Sequence, residues 1–174
     1  MDKEISAGIV IFRKTEEGPK FLILYHGHSY WNFAKGKIEN EERSFEAALR
    51  ETREETGLTQ RDLRILKNFR AQERFTFRRG TKQIFKTVIF YMAETNRREI
   101  KISDEHDGYG WFSFSDAKKI LGKFKDSQKV LKSAYDILYQ SRSRRGPQNT
   151  QRRSPHVQTS GEVRRTAWGV PGGR

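Results

Sequence analysis

Residues 50–57 read RETREETG and place three glutamates, Glu51, Glu54 and Glu55, within five positions of a chain whose net charge is +13. The segment around them, EERSFEAALRETREETG (41–57), reads as a helix. It lacks proline and internal glycine, is rich in Ala, Leu, Glu and Arg, and stops at Gly57. At about 100° per residue, Phe45, Ala48, Leu49 and Thr52 fall within about 60° of one direction and form the stripe expected to pack on a core. The three glutamates share a neighbouring arc about 100° wide. Like charges at this spacing repel by roughly 0.2–0.5 kcal/mol per pair. Two readings follow. One is a solvated acidic face screened by Arg50 and Arg53; the other is a divalent-cation site, because hard cations take several oxygen ligands. The helix alone does not separate them.

The preceding segment, WNFAKGKIENEE (31–42), leads from strand to helix through a glycine loop. Gly36 is expected to let the backbone turn so that a carbonyl faces a metal. Lys35 and Lys37 flank it, a fitting pair for polyphosphate. Five residues separate Gly36 from Glu42, and seven separate Glu42 from Arg50-Glu51-Thr52-Arg53-Glu54-Glu55-Thr56-Gly57-Leu58. This spacing resembles the Nudix hydrolase motif, G-x5-E-x7-R-E-U-x-E-E-x-G-U with U apolar. Every fixed position matches, and Thr52 at an apolar position is the one departure.

The resemblance implies an α/β (α+β) fold, a Nudix-type α/β/α sandwich with a mixed sheet and a loop–helix–loop catalytic box. It also implies hydrolysis of phosphoanhydride bonds with Mg2+, or Mn2+, and an attacking water. By position, Glu51, Glu54 and Glu55 would bind metal, joined by the carbonyl of Lys35. Arg50 would orient the glutamates, above all Glu51, and Glu42 would support the site through ions or waters. The base that accepts the water's proton is in this superfamily sometimes a box glutamate, here Glu54 or Glu51, and sometimes one from a distant loop.

Outside the box, AGIVIF (7–12) and KFLILYH (20–26) read as strands of a hairpin, with a turn at 16–19. DLRILKNFRAQERFTF and KQIFKTVIFYMAE read as strands joined by a turn at 79–80, and YGWFSF (109–114) as a short strand. Ser115 is placed to cap a helix DAKKIL, and SQKVLKSAYDILYQ (127–140) is an amphipathic last helix. Strands interspersed with helices favour a mixed sheet with helices packed on it.

Several of these segments, with SDEHDGYGWFSFSDAKKIL, look like the asymmetrical diadenosine tetraphosphate hydrolases, which cleave that dinucleotide to ATP and AMP. The resemblance covers about residues 5–140. Ala34 departs from a usual proline and Lys37 from a common histidine. By this resemblance Glu105 is a further metal ligand or general base, Lys86 a strand lysine that contacts polyphosphate, and Tyr30 (or an aromatic near Phe75 and Phe77) a stacking surface for adenine. Trp31 is assigned to packing, and Trp111 and Tyr91 to the core. Alternatives within the family are an RNA 5′-end or nucleoside triphosphate pyrophosphohydrolase. An alternative of another class is a non-catalytic nucleotide-binding module, which the complete glutamate set argues against.

Hydrophobic residues make up 34% of the 174, low for one globular unit, so part of the chain is expected outside the core. Residues 141–174 hold eight arginines and one acid, rich in Ser, Gly and Gln with isolated apolar residues. They read as a basic, disordered tail able to attract RNA weakly, following a domain at 1–140. The absence of cysteine excludes disulfides and thiolate metal sites. No apolar run approaches the ~18 residues of a membrane span, and no signal peptide is seen. The sequence therefore suggests a cytoplasmic enzyme without membrane contact.

Overall fold

A strand buried on both faces must be apolar at every position, not at alternate ones. Residues 7–12 meet that condition: all but Gly8 are apolar, and all are buried. The computed structural model describes the backbone of residues 2–144 and the side chains of residues 2–140. The run lies within β1 (Asp2–Thr15), in the middle of an eight-stranded sheet. β1 pairs antiparallel with β2 (Gly18–Tyr25) and parallel with β7 (Lys82–Glu94), from Asp2 opposite Ile84 to Phe12 opposite Glu94. β3 (Trp31–Asn32) and β8 (Gly108–Phe112) pair with β2; β4 (Ala34–Lys37) pairs with β1; β5 (Arg64–Ile65) and β6 (Ala71–Arg79) pair with β7. The sheet is thus mixed, as expected.

Side chains alternate across a strand, so β1 feeds two cores. Val10 and Phe12 join Phe21, Ile23, Phe90 and Met92 beneath α2 (Phe114–Leu121) and α3 (Lys125–Arg144). Ile9 and Ile11 join Leu22 and Leu24 beneath α1 (Ser44–Thr56), which contributes Ala47 and Ala48. Helices cover both faces, the sandwich inferred from the sequence.

Local differences have physical causes. The expected strand after the α1 segment divides into a 3-10 turn at Gln60–Asp62, β5 and β6. Ser113, not Ser115, caps α2: its Oγ accepts from the Asp116 N–H at 3.2 Å and donates to the Asp116 carboxylate at 2.8 Å. α1 starts at Ser44 rather than residue 41, because Glu41 adopts φ 64° in the loop that precedes it. It ends where predicted, on Gly57 in the left-handed region (φ 71°), whose N–H reaches the Arg53 carbonyl at 2.9 Å. Its buried face is Ala47, Ala48, Thr52, Glu55 and Thr56. The helix is thus rolled so that Phe45 and Leu49 lie part-buried at the edge of this face, and one of the three glutamates is carried inward.

α3 ends at Arg144, so the first four residues of the tail expected at 141–174 are helical, and the rest of it, 145–174, lies outside the described residues. Among the described residues no helix is long and apolar enough to cross a membrane.

Candidate active site

Gly36 stands in β4 opposite Ala7, and its φ is not left-handed. The expected loop turn is therefore absent; the glycine serves close approach instead. A Cβ at residue 36 would lie 1.9 Å from the Glu51 carboxyl carbon and 2.0–2.1 Å from its oxygens. Only a residue without a side chain lets that carboxylate lie against the strand.

Arg50 gathers the surrounding acids. Its Nε and Nη2 donate to the two Glu42 oxygens, each at 2.9 Å, a bidentate pair. Its Nη1 donates to Glu51 at 2.8 Å and to Glu54 at 3.2 Å, and its Nη2 also donates to the Lys37 carbonyl at 2.9 Å. The charge-assisted bond expected from Arg50 to Glu51 is present. Both oxygens of Glu42, the residue expected to support the site through ions or waters, accept from Arg50, and one also accepts the Glu39 N–H at 3.1 Å. Arg50 hydrogen bonding holds the Glu42 carboxyl below the usual carboxylate range.

The three helix glutamates occupy different environments. Glu54 is half-exposed. Glu51 is mostly covered, and burial pushes its carboxyl up against the opposing pull of Arg50. Glu55 is 7% exposed, and burial pushes it up to about 8. Its Oε2 accepts the Lys35 N–H at 2.8 Å, and its Oε1 lies 3.5 Å from His106 Nε2. The N–H and C=O of one strand residue point the same way, so the Lys35 carbonyl faces this side as well.

Among the described residues no three acidic or imidazole side chains converge on one point as a ready-made metal cage. The donor chemistry still fits a hard divalent cation. Glu51, Glu54 and Glu55 supply oxygens; Glu55 is buried and Glu51 mostly covered, and burial pushes both carboxyls up, a cost that a bound cation would offset. Arg50 is the cation in contact with Glu51, and Glu55 has a backbone N–H.

Lys35 extends its ammonium over the Tyr30 ring, 5.7 Å from the centroid. Tyr30 stands edge-on to Phe124 at 5.0 Å, and its hydroxyl accepts from Asn32 Nδ2 at 2.9 Å. His26 packs between Tyr30 (4.9 Å) and His106 (4.3 Å). Burial first, then Lys35 and His106, pull the His26 imidazole down to about 3, so it is neutral. Burial likewise lowers His106, whose Nδ1 lies 3.0 Å from Ser103 Oγ. The loop 103–107 thus meets the box as expected. Glu105 is exposed beside His106, and its charge acts on both Glu55 and His106.

The two expected substrate lysines lie in different surroundings. Lys86 is mostly covered, and its Nζ sits 3.2 Å from Glu4, its register partner on β1. Glu4 also takes Arg79 at 3.2 Å. Lys37 has an exposed side chain, and its carbonyl is bound by Arg50. Trp31 packs on Tyr25 and Phe112, as assigned. The part-buried imidazole of His26, beside the glycine loop as its sequence position suggests, and the buried one of His106 are neighbours to which the sequence assigns no role. His106 was visible in SDEH, but only the fold shows that it turns inward onto Glu55.

A family model for the NUDIX domain matches residues 2–134. An asymmetrical bis(5'-nucleosyl)-tetraphosphatase from Mus musculus is 33% identical over 143 residues, 76% of this chain and 94% of that one. Its counterpart from Caenorhabditis elegans is 33% identical over 119 residues, 66% and 83% respectively. Among solved structures, a C. elegans Ap4A hydrolase binary complex superposes with a TM-score of 0.68 at 28% identity, covering 79% of this chain and 98% of that one.

Proposed function

The chain belongs to the NUDIX family, and from that premise we propose that it is a hydrolase of dinucleoside polyphosphates, splitting diadenosine tetraphosphate with water into ATP and AMP. The observation that carries this reading is the Glu51 carboxylate lying against Gly36 while Arg50 donates to it. It is joined by one-third identity to tetraphosphatases along nearly their whole length.

Glu51, Glu54 and Glu55, with the Lys35 carbonyl, would hold magnesium or manganese. When bound, such an ion neutralises phosphate oxygens and lowers the pKa of a coordinated water. The chain's own residues do the rest. Arg50, fixed by Glu42, keeps the carboxylates of Glu51 and Glu54 in one orientation. Lys35, Lys37 and Lys86 add positive charge along the path of the phosphate chain. Tyr30 offers an aromatic surface for adenine. Glu105 or Glu54, the two acids nearest solvent, takes the proton of the attacking water. The fit of Glu105 to that role rests on its exposure beside His106, close enough for its charge to act on Glu55.

The test is to incubate the protein with magnesium and diadenosine tetraphosphate, nucleoside triphosphates and triphosphorylated RNA in parallel, and to separate the products. ATP and AMP in equal amounts, formed fastest from the dinucleotide, are expected. Faster release of pyrophosphate from RNA or from a nucleoside triphosphate would overturn the assignment.

A further inference from the structure

A second charged feature lies at the far end of β1. Arg13 is five residues along the strand from Gly8, the partner of Lys35, a separation of roughly 16 Å. It sits directly opposite Lys20 on β2. Like charges directly opposite on paired strands are destabilising unless an anion lies between them. The Arg13 guanidinium lies over the Trp111 ring at 5.3 Å, and its Nε is buried without a hydrogen-bond partner. Trp111 is fixed in turn, its indole N–H donating to the Arg98 carbonyl at 2.8 Å. That bond brings the exposed Arg98 alongside.

These residues and Lys14 line an open groove of about 700 Å³. Small-molecule sites run from about 300 to 1,000 Å³. Two acids, Glu16 and Glu17, share the lining, so the four cations exceed them by two. Glu17 is engaged by Lys20 at 2.7 Å, and the exposed Glu17 carboxylate is one that a stronger anion can displace. Lys14 reaches Glu94 at 3.1 Å. Arg13 is different: it is braced by an aromatic face, and its planar donor fork suits phosphate oxygens.

We propose that this groove is a second anion site, separate from the carboxylate site, which takes the phosphate chain of a free nucleotide or of inorganic polyphosphate. A chain of phosphates fits better than one phosphate, because the cations are spread over three segments: β1, β2 and the stretch before β8.

The test follows the Trp111 indole N–H resonance of the full chain by NMR, assigned with Trp111→Phe, during titration with inorganic tripolyphosphate in the presence of EDTA. Removing divalent ions keeps the carboxylate site out of the response. A saturable shift is expected. It should weaken about tenfold or more in Arg13→Gln and in Arg98→Gln, the loss of a charge-assisted hydrogen bond. ATP should reproduce the shift and adenosine should not. Arg98→Gln alters an exposed side chain whose carbonyl still holds the indole, so it decides the matter even if Arg13→Gln fails to fold. The proposal is overturned if the resonance does not move, or if sodium chloride of equal ionic strength moves it as much. It is also overturned if Arg98→Gln responds like the parent, or if only single-stranded RNA produces the shift.

Discussion

Arg50 holds Glu42 through a two-point contact, both bonds at 2.9 Å, and with the same guanidinium holds Glu51 at 2.8 Å. The loop before α1 is thereby tied to the helix, and the ties run through one planar group. A lysine can supply the charge but not the fork. Arg50→Lys is therefore expected to fold and to lose at least about a hundredfold in kcat/KM, the scale of misplacing a site by about an ångström. Steady-state kinetics alongside a thermal melt separate the two effects. Near-parental kcat/KM would show that the fork does not position the glutamates.

Gly36→Ala tests the close approach. Its φ is one that alanine accepts, so the backbone alone gives no reason for failure. The added methyl would overlap the Glu51 carboxyl group. Overpacking of this kind typically costs about 1–3 kcal/mol, here relieved by moving Glu51 aside. The expected result is a modest fall in Tm with a large fall in activity and in divalent-ion binding by calorimetry. Gly57→Ala is the comparison, because Gly57 has φ 71° and the cost there is conformational together with a 3.2 Å approach to Lys101 Cβ, with no contact to Glu51.

The sheet, the helices and the box were legible because each carries a periodic or fixed-spacing signal. Residues 7–12 announce a doubly buried strand, and Gly57 announces the end of α1. Features set by tertiary contact were not legible. Nothing in the spacing tells that Gly36 serves close approach, since both readings require a glycine. The roll of α1 that buries Glu55 depends on what the sheet offers beneath it. The partner of Lys86 is Glu4, 82 positions away in sequence, and only the parallel pairing of β1 with β7 brings them together.

That Lys86–Glu4 pair yields its own expectation. If Glu4 holds Lys86 in place for substrate, Glu4→Gln frees the ammonium and raises KM severalfold while kcat changes little. If Lys86 has a structural part only, the substitution lowers Tm and leaves KM alone. Initial rates over a range of dinucleotide concentrations distinguish the two.

Glu73 is 4% exposed; its Oε1 accepts from Ser127 Oγ at 2.6 Å, while its Oε2 is buried without a partner. The bond ties β6 to the first turn of α3. Ser127→Ala removes one partner of a buried group, which generally costs about 1–3 kcal/mol. A fall in Tm is expected with little change in kcat. Burial raises the Glu73 carboxyl above its ordinary value. Its contribution is therefore full below pH 4.5 and is lost as pH rises through the raised folded value. Glu73→Gln, which cannot ionise, should remove that loss.

His26 gives the opposite pH dependence. Its folded value is about 3, against 6.5 for a free imidazole. Above pH 6.5 the ring is neutral in both folded and unfolded chains, and stability does not depend on it. Between pH 6.5 and 3 the unfolded chain takes up a proton that the folded one refuses. Stability therefore falls as pH falls, by up to about 1.4 kcal/mol per pH unit from this one group. His106 is lowered too and adds a slope of the same sign, so the comparison must be a difference between variants. Urea denaturation of the parent and of His26→Gln at pH 7, 6, 5 and 4 supplies it, over roughly the range in which one imidazole titrates. The variant should lose less stability per unit of acidification than the parent. Parallel curves for the two proteins would show that His26 is not held neutral in the fold.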